Sequence, residues 1–356
     1  MKHSYDWNSG FNYGGNQYYG NDAAAQQYLD NIMKTEAAKR TIRSLGVYTG
    51  LALLGYIVFQ NGLYILFELL GLMKNYTTNP VYQCAMDIVF TILGLFLPFV
   101  IFGTLATRRN KKYLKENGIP EFIDPMGLNK PKSTLDFILA VISGMGFCML
   151  ANLATSYITV FMSLFGFELS SPDINMPEGV TGIFINVLRV SIVAALTEEL
   201  SLRGYVMGNL RYFGDKFAIT AAAVVFAFMH GNLVQAPFAL IAGFALGYFS
   251  IKTGSIWTGI AIHALNNLLS LVVTYSIDFL GEDLANTVYT YVIYALIIGG
   301  LICFFFFKKR TSDVGFYAPK IRLSQKGKYK AFFLNPAMLL ALAYMIYVTS
   351  QYVTRG

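Results

Sequence analysis

Three short sequences place polar and charged side chains inside long apolar segments. They read EELSLR at residues 198–203, FAFMH at residues 226–230 and HALNN at residues 263–267. Carboxylate and imidazole side chains can donate or accept protons, so these residue types can do acid–base chemistry. An ionisable group costs at least ~2.5 kcal/mol at the centre of a bilayer, so such groups usually face a cavity and serve a function. The three sequences therefore predict a polar site in apolar surroundings.

The spacing within these sequences separates two roles. Glu199 and Arg203 are four residues apart, on one helical face and in the favourable acid-first order. We therefore expect a buried, self-neutralising ion pair. Glu198 is rotated by about 100° from Glu199, which leaves it available for another role. His263 and Asn267 are also four residues apart and share a face.

The positions of Glu198, His230 and His263 along the chain predict their relative depths in the membrane. Glu198 and His230 are equally far from residue 214 in the predicted connecting turn, so we expect them at similar depth. His263 is predicted to lie nearer the end of its own helix. We expect the depths to match if the helices that carry Glu198 and His230 project beyond the membrane.

The composition excludes a soluble globular protein. Of the 356 residues, 55% are hydrophobic and 13% are charged, whereas soluble domains carry about 25% charged residues. The apolar residues form blocks of about 20, the length of a helix that crosses a ~30 Å hydrocarbon core. The alternating pattern of an outer-membrane barrel is absent. We therefore predict an all-α, polytopic helical membrane protein.

About nine transmembrane helices are predicted from these blocks. Most of the 27 basic residues fall in the connections on one side of this topology. The positive-inside rule then predicts a cytoplasmic N-terminus and an external C-terminus. The same asymmetry accounts for the net charge of +7, and no nucleic-acid-binding motif accompanies it, so no nucleic-acid partner is expected. The approximate bounds of the predicted spans are 46–73, 81–105, 134–167, 180–210, 217–233, 235–251, 255–276, 285–307 and 332–353.

The three motifs resemble those of the CAAX prenyl protease and bacteriocin-processing family of intramembrane peptidases. EELSLR is similar to the family's EExxxR motif, FAFMH to its FxxxH motif and HALNN to its HxxxN motif, in the same order and on separate predicted spans. The resemblance covers roughly residues 134–276. It implies a glutamate-dependent endopeptidase in which Glu198 and His230 activate a water. In the same reading His263 and Asn267 stabilise the oxyanion.

Composition and hydropathy predict the organisation of the chain outside the segment that the resemblance covers. A flexible polar tail at residues 1–31 precedes a juxtamembrane segment and two transmembrane helices at 32–133. The peptidase core is expected at 134–276. C-terminal transmembrane helices with a basic cytoplasmic loop follow at 277–356.

Other readings of the same motifs stay open. A zinc-dependent peptidase would use Glu198, His230 and His263 as ligands, with a water in the fourth position. A non-catalytic bacteriocin-immunity or peptide-binding membrane protein could carry the same motifs. A transporter could relay protons through the cluster, but the inverted repeats typical of transporters are not evident. The main reading requires no cofactor, and zinc is the alternative.

The expected partners are a peptide or membrane-associated protein substrate and the lipid bilayer. The expected location is the cell membrane, with several passes, and the general look of the chain favours a bacterial cytoplasmic membrane.

Three further charged residues fall inside predicted spans without motif support. We expect Arg189 to anchor a loop or to pair with Glu199. Glu68 and Asp87 are predicted to be isolated acids that line a cavity or a helix contact.

Overall fold

A computed structural model describes residues 19–121, 123–124, 126–172, 176–319 and 321–355. Within these ranges the chain is almost entirely helical, with a single two-stranded sheet. The predicted all-α class and the polytopic membrane character are confirmed.

The described part of the chain forms long helices and two short strands. In chain order they are α1 (Tyr19–Leu69), α2 (Pro80–Glu116), α3 (Thr134–Leu164), β1 (Phe167–Leu169), α4 (Gly179–Phe213), α5 (Asp215–Met229), α6 (Ala236–Thr253), α7 (Ile256–Leu280), α8 (Glu282–Arg310), α9 (Gln325–Phe333), α10 (Pro336–Ser350) and β2 (Val353–Arg355).

Seven of the described helices are long and apolar enough to cross a membrane, and α9 with α10 makes an eighth if this pair, bent by 77°, is one span. The span predicted at 217–233 corresponds to α5, which has 15 residues. At 1.5 Å per residue α5 is about 22 Å long, shorter than a ~30 Å hydrocarbon core. Most of its side chains are buried among the other helices. The total of nine spans and the cytoplasmic N-terminus stay predictions.

Helix α1 extends into the segment predicted as a flexible polar tail. It begins at Tyr19, because the alanines and glutamines that follow are strong helix formers. Residues 1–18 lie outside the described residues, and the predicted domain boundaries stay predictions.

Contacts between distant parts of the chain assign connections to the two ends of the bundle. At one end β1 and β2 pair antiparallel, with Phe167 opposite Arg355. At the other end Arg310 Nε lies 2.5 Å from Asp136 Oδ1, and Lys252 Nζ donates to the carbonyl of Thr311 at 3.3 Å. This grouping matches the predicted alternation of connections, in which the basic segments share one side.

Glycines set the closest approach of α1 to the bent pair α9–α10. Gly46 and Gly50 form a small-xxx-small pattern of the kind that brings membrane helices together. A Cβ on Gly46 would lie 2.1 Å from the carbonyl oxygen of Phe332, and one on Gly50 would lie 2.4 Å from the backbone nitrogen of Met338. Phe332 and Met338 are fully buried. The contact therefore requires glycine at both positions of α1.

We predict that Gly50→Leu destabilises the protein, because the new side chain must displace backbone atoms of α10. Overpacking of this kind costs at least about 1–3 kcal/mol. The measurement is thermal melting of the purified protein in detergent. Gly62→Leu, on the same helix, is the matched control, since no heavy atom lies within 4 Å of the position of its Cβ. Equal melting of the two variants would contradict the prediction.

Candidate active site

In α4 the EELSLR sequence begins in a short α-helical stretch and continues into a π-helical one. Residues Ala194–Glu199 are α-helical, whereas Leu188–Val193 and Leu200–Met207 are π-helical. π-Helical turns are rare and frequently occur at functional sites. The two adjacent glutamates point into different surroundings. The Glu199 side chain is fully buried, whereas that of Glu198 is 19% exposed.

A cavity of about 590 Å³ brings together the four residues predicted to do the chemistry. Its lining includes Glu198 from α4, His230 from the end of α5, and His263 and Asn267 from α7. Three helices separated in sequence therefore supply one polar surface. The role of each residue stays a prediction.

Glu199 and Arg203 form the ion pair that their spacing predicted. Arg203 Nη1 donates to Glu199 Oε1 at 2.8 Å, and both residues are at most 2% exposed. The guanidinium also lies over the Phe226 ring, 4.7 Å from its centroid. The same Glu199 oxygen accepts a hydrogen bond from His263 Nδ1 at 3.0 Å, which sequence reasoning missed. Glu199 thus connects α4 to α7 as well as neutralising Arg203.

The hydrogen bonds define which nitrogen of each histidine is free. His230 Nδ1 lies 2.9 Å from the carbonyl oxygen of Phe226, which can only accept, so Nδ1 carries the hydrogen. His263 Nδ1 likewise donates to Glu199. Nε2 is therefore the available nitrogen in both rings. In His263 it lies 3.8 Å from Glu198 Oε2.

A short capped turn holds His230 at the end of α5. Gly231 has a φ of +62°, in the left-handed region that glycine adopts without strain. Asn232 is buried, donates from Nδ2 to the His230 carbonyl at 2.9 Å and accepts from the Gln235 backbone N–H at 2.9 Å. The turn between α5 and α6 is therefore rigidly hydrogen-bonded at the cavity wall.

Asn267 is held between α7 and α4. Its Nδ2 donates to the Val190 carbonyl at 2.9 Å, and its Oδ1 accepts from Asn266 Nδ2 at 3.4 Å. An amide nitrogen carries two hydrogens, so one Asn267 hydrogen remains for a ligand.

A polar stripe on α3 also lines the cavity and was missed in the sequence. Its members recur at intervals of three and four residues, which places them on one helical face. That spacing within an apolar span was the signal that could have found them. They are Asn152, Thr155, Ser156 and Thr159.

Arg189 and Asp87 correct two sequence-based expectations. Arg189 Nη1 pairs with Asp87 Oδ2 at 2.5 Å, and its Nη2 donates to Asn186 Oδ1 at 2.8 Å. The Tyr76 hydroxyl donates to Asp87 Oδ1 at 2.7 Å, and burial together with this bond raises the pKa of Tyr76 to about 12. Asp87 is therefore not isolated, and Arg189 does not pair with Glu199. Ten residues of helix separate Arg189 from Glu199, about 15 Å.

The zinc alternative can be compared with the geometry. Glu198, His230 and His263 line one cavity. Yet no group of three or more His, Cys, Asp or Glu side chains in the described ranges is arranged to hold a metal ion. The donor types fit zinc, and whether a metal is required stays a prediction.

Residues 180–269 match the family model for Rce1-like proteins, described as "type II CAAX prenyl endopeptidase Rce1-like". The matched segment includes all three motifs. The matched segment is therefore similar to a CAAX prenyl endopeptidase. The match covers about a quarter of the chain. No curated protein and no solved structure matches the chain.

This similarity supports a membrane-embedded endopeptidase that acts on a peptide substrate. The hydrolase and multi-pass membrane character predicted from the sequence is therefore confirmed.

We predict that Arg203→Ala lowers stability more than Arg189→Ala does. Removing one partner of a buried ion pair costs ~3–5 kcal/mol because the other charge stays buried. The Asp87 carboxyl, in contrast, is 23% exposed. The double change Glu199→Gln with Arg203→Met should recover much of the loss, since the Gln side chain can still accept from His263. The measurement is thermal melting in detergent. Wild-type melting of Arg203→Ala would contradict the structural role of the pair.

Proposed function

We propose that the protein is an intramembrane endopeptidase that hydrolyses a peptide bond with a water activated by Glu198 and His230. The observation that supports this most directly is the shared cavity. It combines the Glu198 carboxylate with two imidazoles whose Nδ1 atoms are already engaged and whose Nε2 atoms are available.

In the proposed reaction Glu198 accepts a proton from the water, while His230 Nε2 accepts a hydrogen bond from it. The hydroxide oxygen bonds to the carbonyl carbon and forms a tetrahedral intermediate. Glu198 then returns the proton to the leaving amine as the C–N bond breaks. The water is thereby divided between the two products, and the enzyme ends as it began.

His263 and Asn267 are proposed to stabilise the oxyanion of the intermediate. Asn267 has one amide hydrogen left after its bond to Val190. His263 donates from Nε2 only when both ring nitrogens carry hydrogens. The Glu199 carboxylate, 3.0 Å from Nδ1, compensates the charge of such an imidazolium. Donors held in a dry site stabilise developing charge more strongly than water does.

Glu199 and Arg203 are positioning residues in this scheme. The Glu199 carboxylate fixes the orientation of the His263 ring, as an acidic partner commonly does for a catalytic histidine. Arg203 in turn neutralises Glu199 at 2.8 Å. The substrate proposed is a peptide or a membrane-associated protein, and the location proposed is a bacterial cytoplasmic membrane.

We predict that Glu198→Gln abolishes cleavage and leaves thermal melting unchanged, because the amide cannot take a proton from water. The measurement is comparative proteomics of membranes that contain the wild-type or the variant protein. Glu68→Gln is the matched control, since Glu68 is exposed on α1. Full processing by Glu198→Gln would contradict the general-base role.

Cleavage of a peptide by the purified wild-type protein separates a protease from a non-catalytic peptide-binding protein.

We predict that Asn267→Ala lowers kcat by ~10²–10³, the usual effect of losing one oxyanion donor. The measurement is steady-state kinetics on a substrate identified by the proteomic comparison. A change confined to KM would assign Asn267 to substrate binding instead.

The metal-free scheme further expects cleavage to survive a strong chelator, and loss of activity restored by zinc would favour the metal-dependent alternative.

A further inference from the structure

We propose that a pocket between α1 and α2 binds the headgroup of an anionic phospholipid. The pocket has a volume of about 430 Å³ and lies apart from the catalytic cavity. Three arginines from two helices contribute to its wall. The lining residues are Arg40, Arg43, Ser44, Val47 and Tyr48 of α1 and Arg109 of α2.

In the described part of the chain the three arginines lack the acidic partners that some of the nearby lysines have. Neighbouring lysines are paired: Lys39 with Glu36 at 3.5 Å, and Lys112 with Glu116 at 3.8 Å. Among the described residues no ion pair includes Arg40, Arg43 or Arg109.

This concentration of like charge is unfavourable without an anion. Arg40 and Arg43 are three residues apart on one helix, a spacing at which like charges repel. Arg109 adds a third positive charge from α2 to the same pocket. A bound anion would relieve this repulsion.

The position of the pocket favours a lipid over a free anion. Val47 lines it, and α1 is apolar from Leu51 to Phe59 beyond it. On α2, Ile101 is 41% exposed and lies eight residues before Arg109, about 12 Å further along the helix. Basic pockets between membrane helices on the cytoplasmic side bind anionic headgroups. A phosphate at the arginines would therefore leave acyl chains beside apolar helix surface.

The chemistry of the wall suits a phosphodiester. Guanidinium groups bind phosphate oxygens through two parallel hydrogen bonds, which a lysine cannot do. The Tyr48 hydroxyl is a further donor at the same wall.

We expect a ligand in the pocket to stabilise the packing of α4, the helix that carries the EELSLR motif. Next to Arg109, Asn110 Nδ2 donates to the Asn209 carbonyl of α4 at 3.0 Å. A headgroup that bridges α1 and α2 would therefore brace the scaffold behind α4, and we expect the bound lipid to raise thermal stability.

The test uses the full-length protein purified in detergent and titrated with phosphatidylglycerol or with phosphatidylcholine. Binding is followed by native mass spectrometry and by thermal melting. We expect phosphatidylglycerol to bind and to raise the melting temperature, and phosphatidylcholine to do neither. A hydrogen bond to a charged group contributes at least about tenfold in affinity. The combined change Arg40→Gln, Arg43→Gln and Arg109→Gln should therefore weaken phosphatidylglycerol binding by at least about 100-fold.

The matched control removes three positive charges from the end of α2 that carries Arg109, at residues that do not line the pocket. It combines Arg108→Gln, Lys111→Gln and Lys112→Gln, and we expect wild-type affinity. Equal loss in the two triple variants would show attraction by net charge alone and would overturn the proposal.

Two further arms separate the remaining outcomes. Inorganic phosphate that competes with phosphatidylglycerol and itself raises the melting temperature would assign the pocket to a free anion and overturn the lipid assignment. If the glutamine variant does not fold, Arg→Lys at the same three positions keeps the charge and removes the guanidinium fork. Weakened phosphatidylglycerol binding in that variant supports the proposal, and unchanged binding overturns it.

Discussion

The carboxylate of Glu199 is the group on which the site depends. It is fully buried, and one of its oxygens accepts from both Arg203 and His263. An unpaired carboxylate in apolar surroundings costs several kcal/mol, so the arginine and the histidine must reach it together. The hydrogen bond to His263 ties α7 to α4 and turns the Nε2 atom of that ring toward Glu198. Structure and proposed catalysis thus share one interaction.

Glycines make this arrangement sterically possible. A Cβ on Gly259 would lie 2.9 Å from Glu199 Oε2, so α7 reaches α4 only with glycine there. Between α3 and α8, Gly146 and Gly300 meet so closely that a Cβ on either would lie within 2.9 Å of the other's Cα. Lipid and apolar side chains resemble each other chemically, so membrane helices associate through small residues and polar links rather than through apolar burial. The cavity is enclosed by helices packed in this way.

Much of the site could be predicted from the sequence, because local helix geometry determines which side chains share one helix face. Four-residue spacing was enough to predict the Glu199–Arg203 pair, since both side chains project from neighbouring turns of one helix. The three motifs identified Glu198, His230, His263 and Asn267 as candidates, and the cavity brings these four together. The Arg189–Asp87 pair was missed because the partners lie on different helices. No periodicity within one segment reports a contact between two segments.

The sequence by itself determined the helical membrane class, because a chain in lipid must satisfy its backbone hydrogen bonds within each segment. It also determined which residues could do chemistry, because buried ionisable groups are too costly to be kept without a use. Only the tertiary structure decided that His263 donates to Glu199, that Arg189 pairs with Asp87, and that three arginines line one pocket. These features depend on the distances between helices. Such distances follow from how side chains of different helices pack, which no single segment encodes.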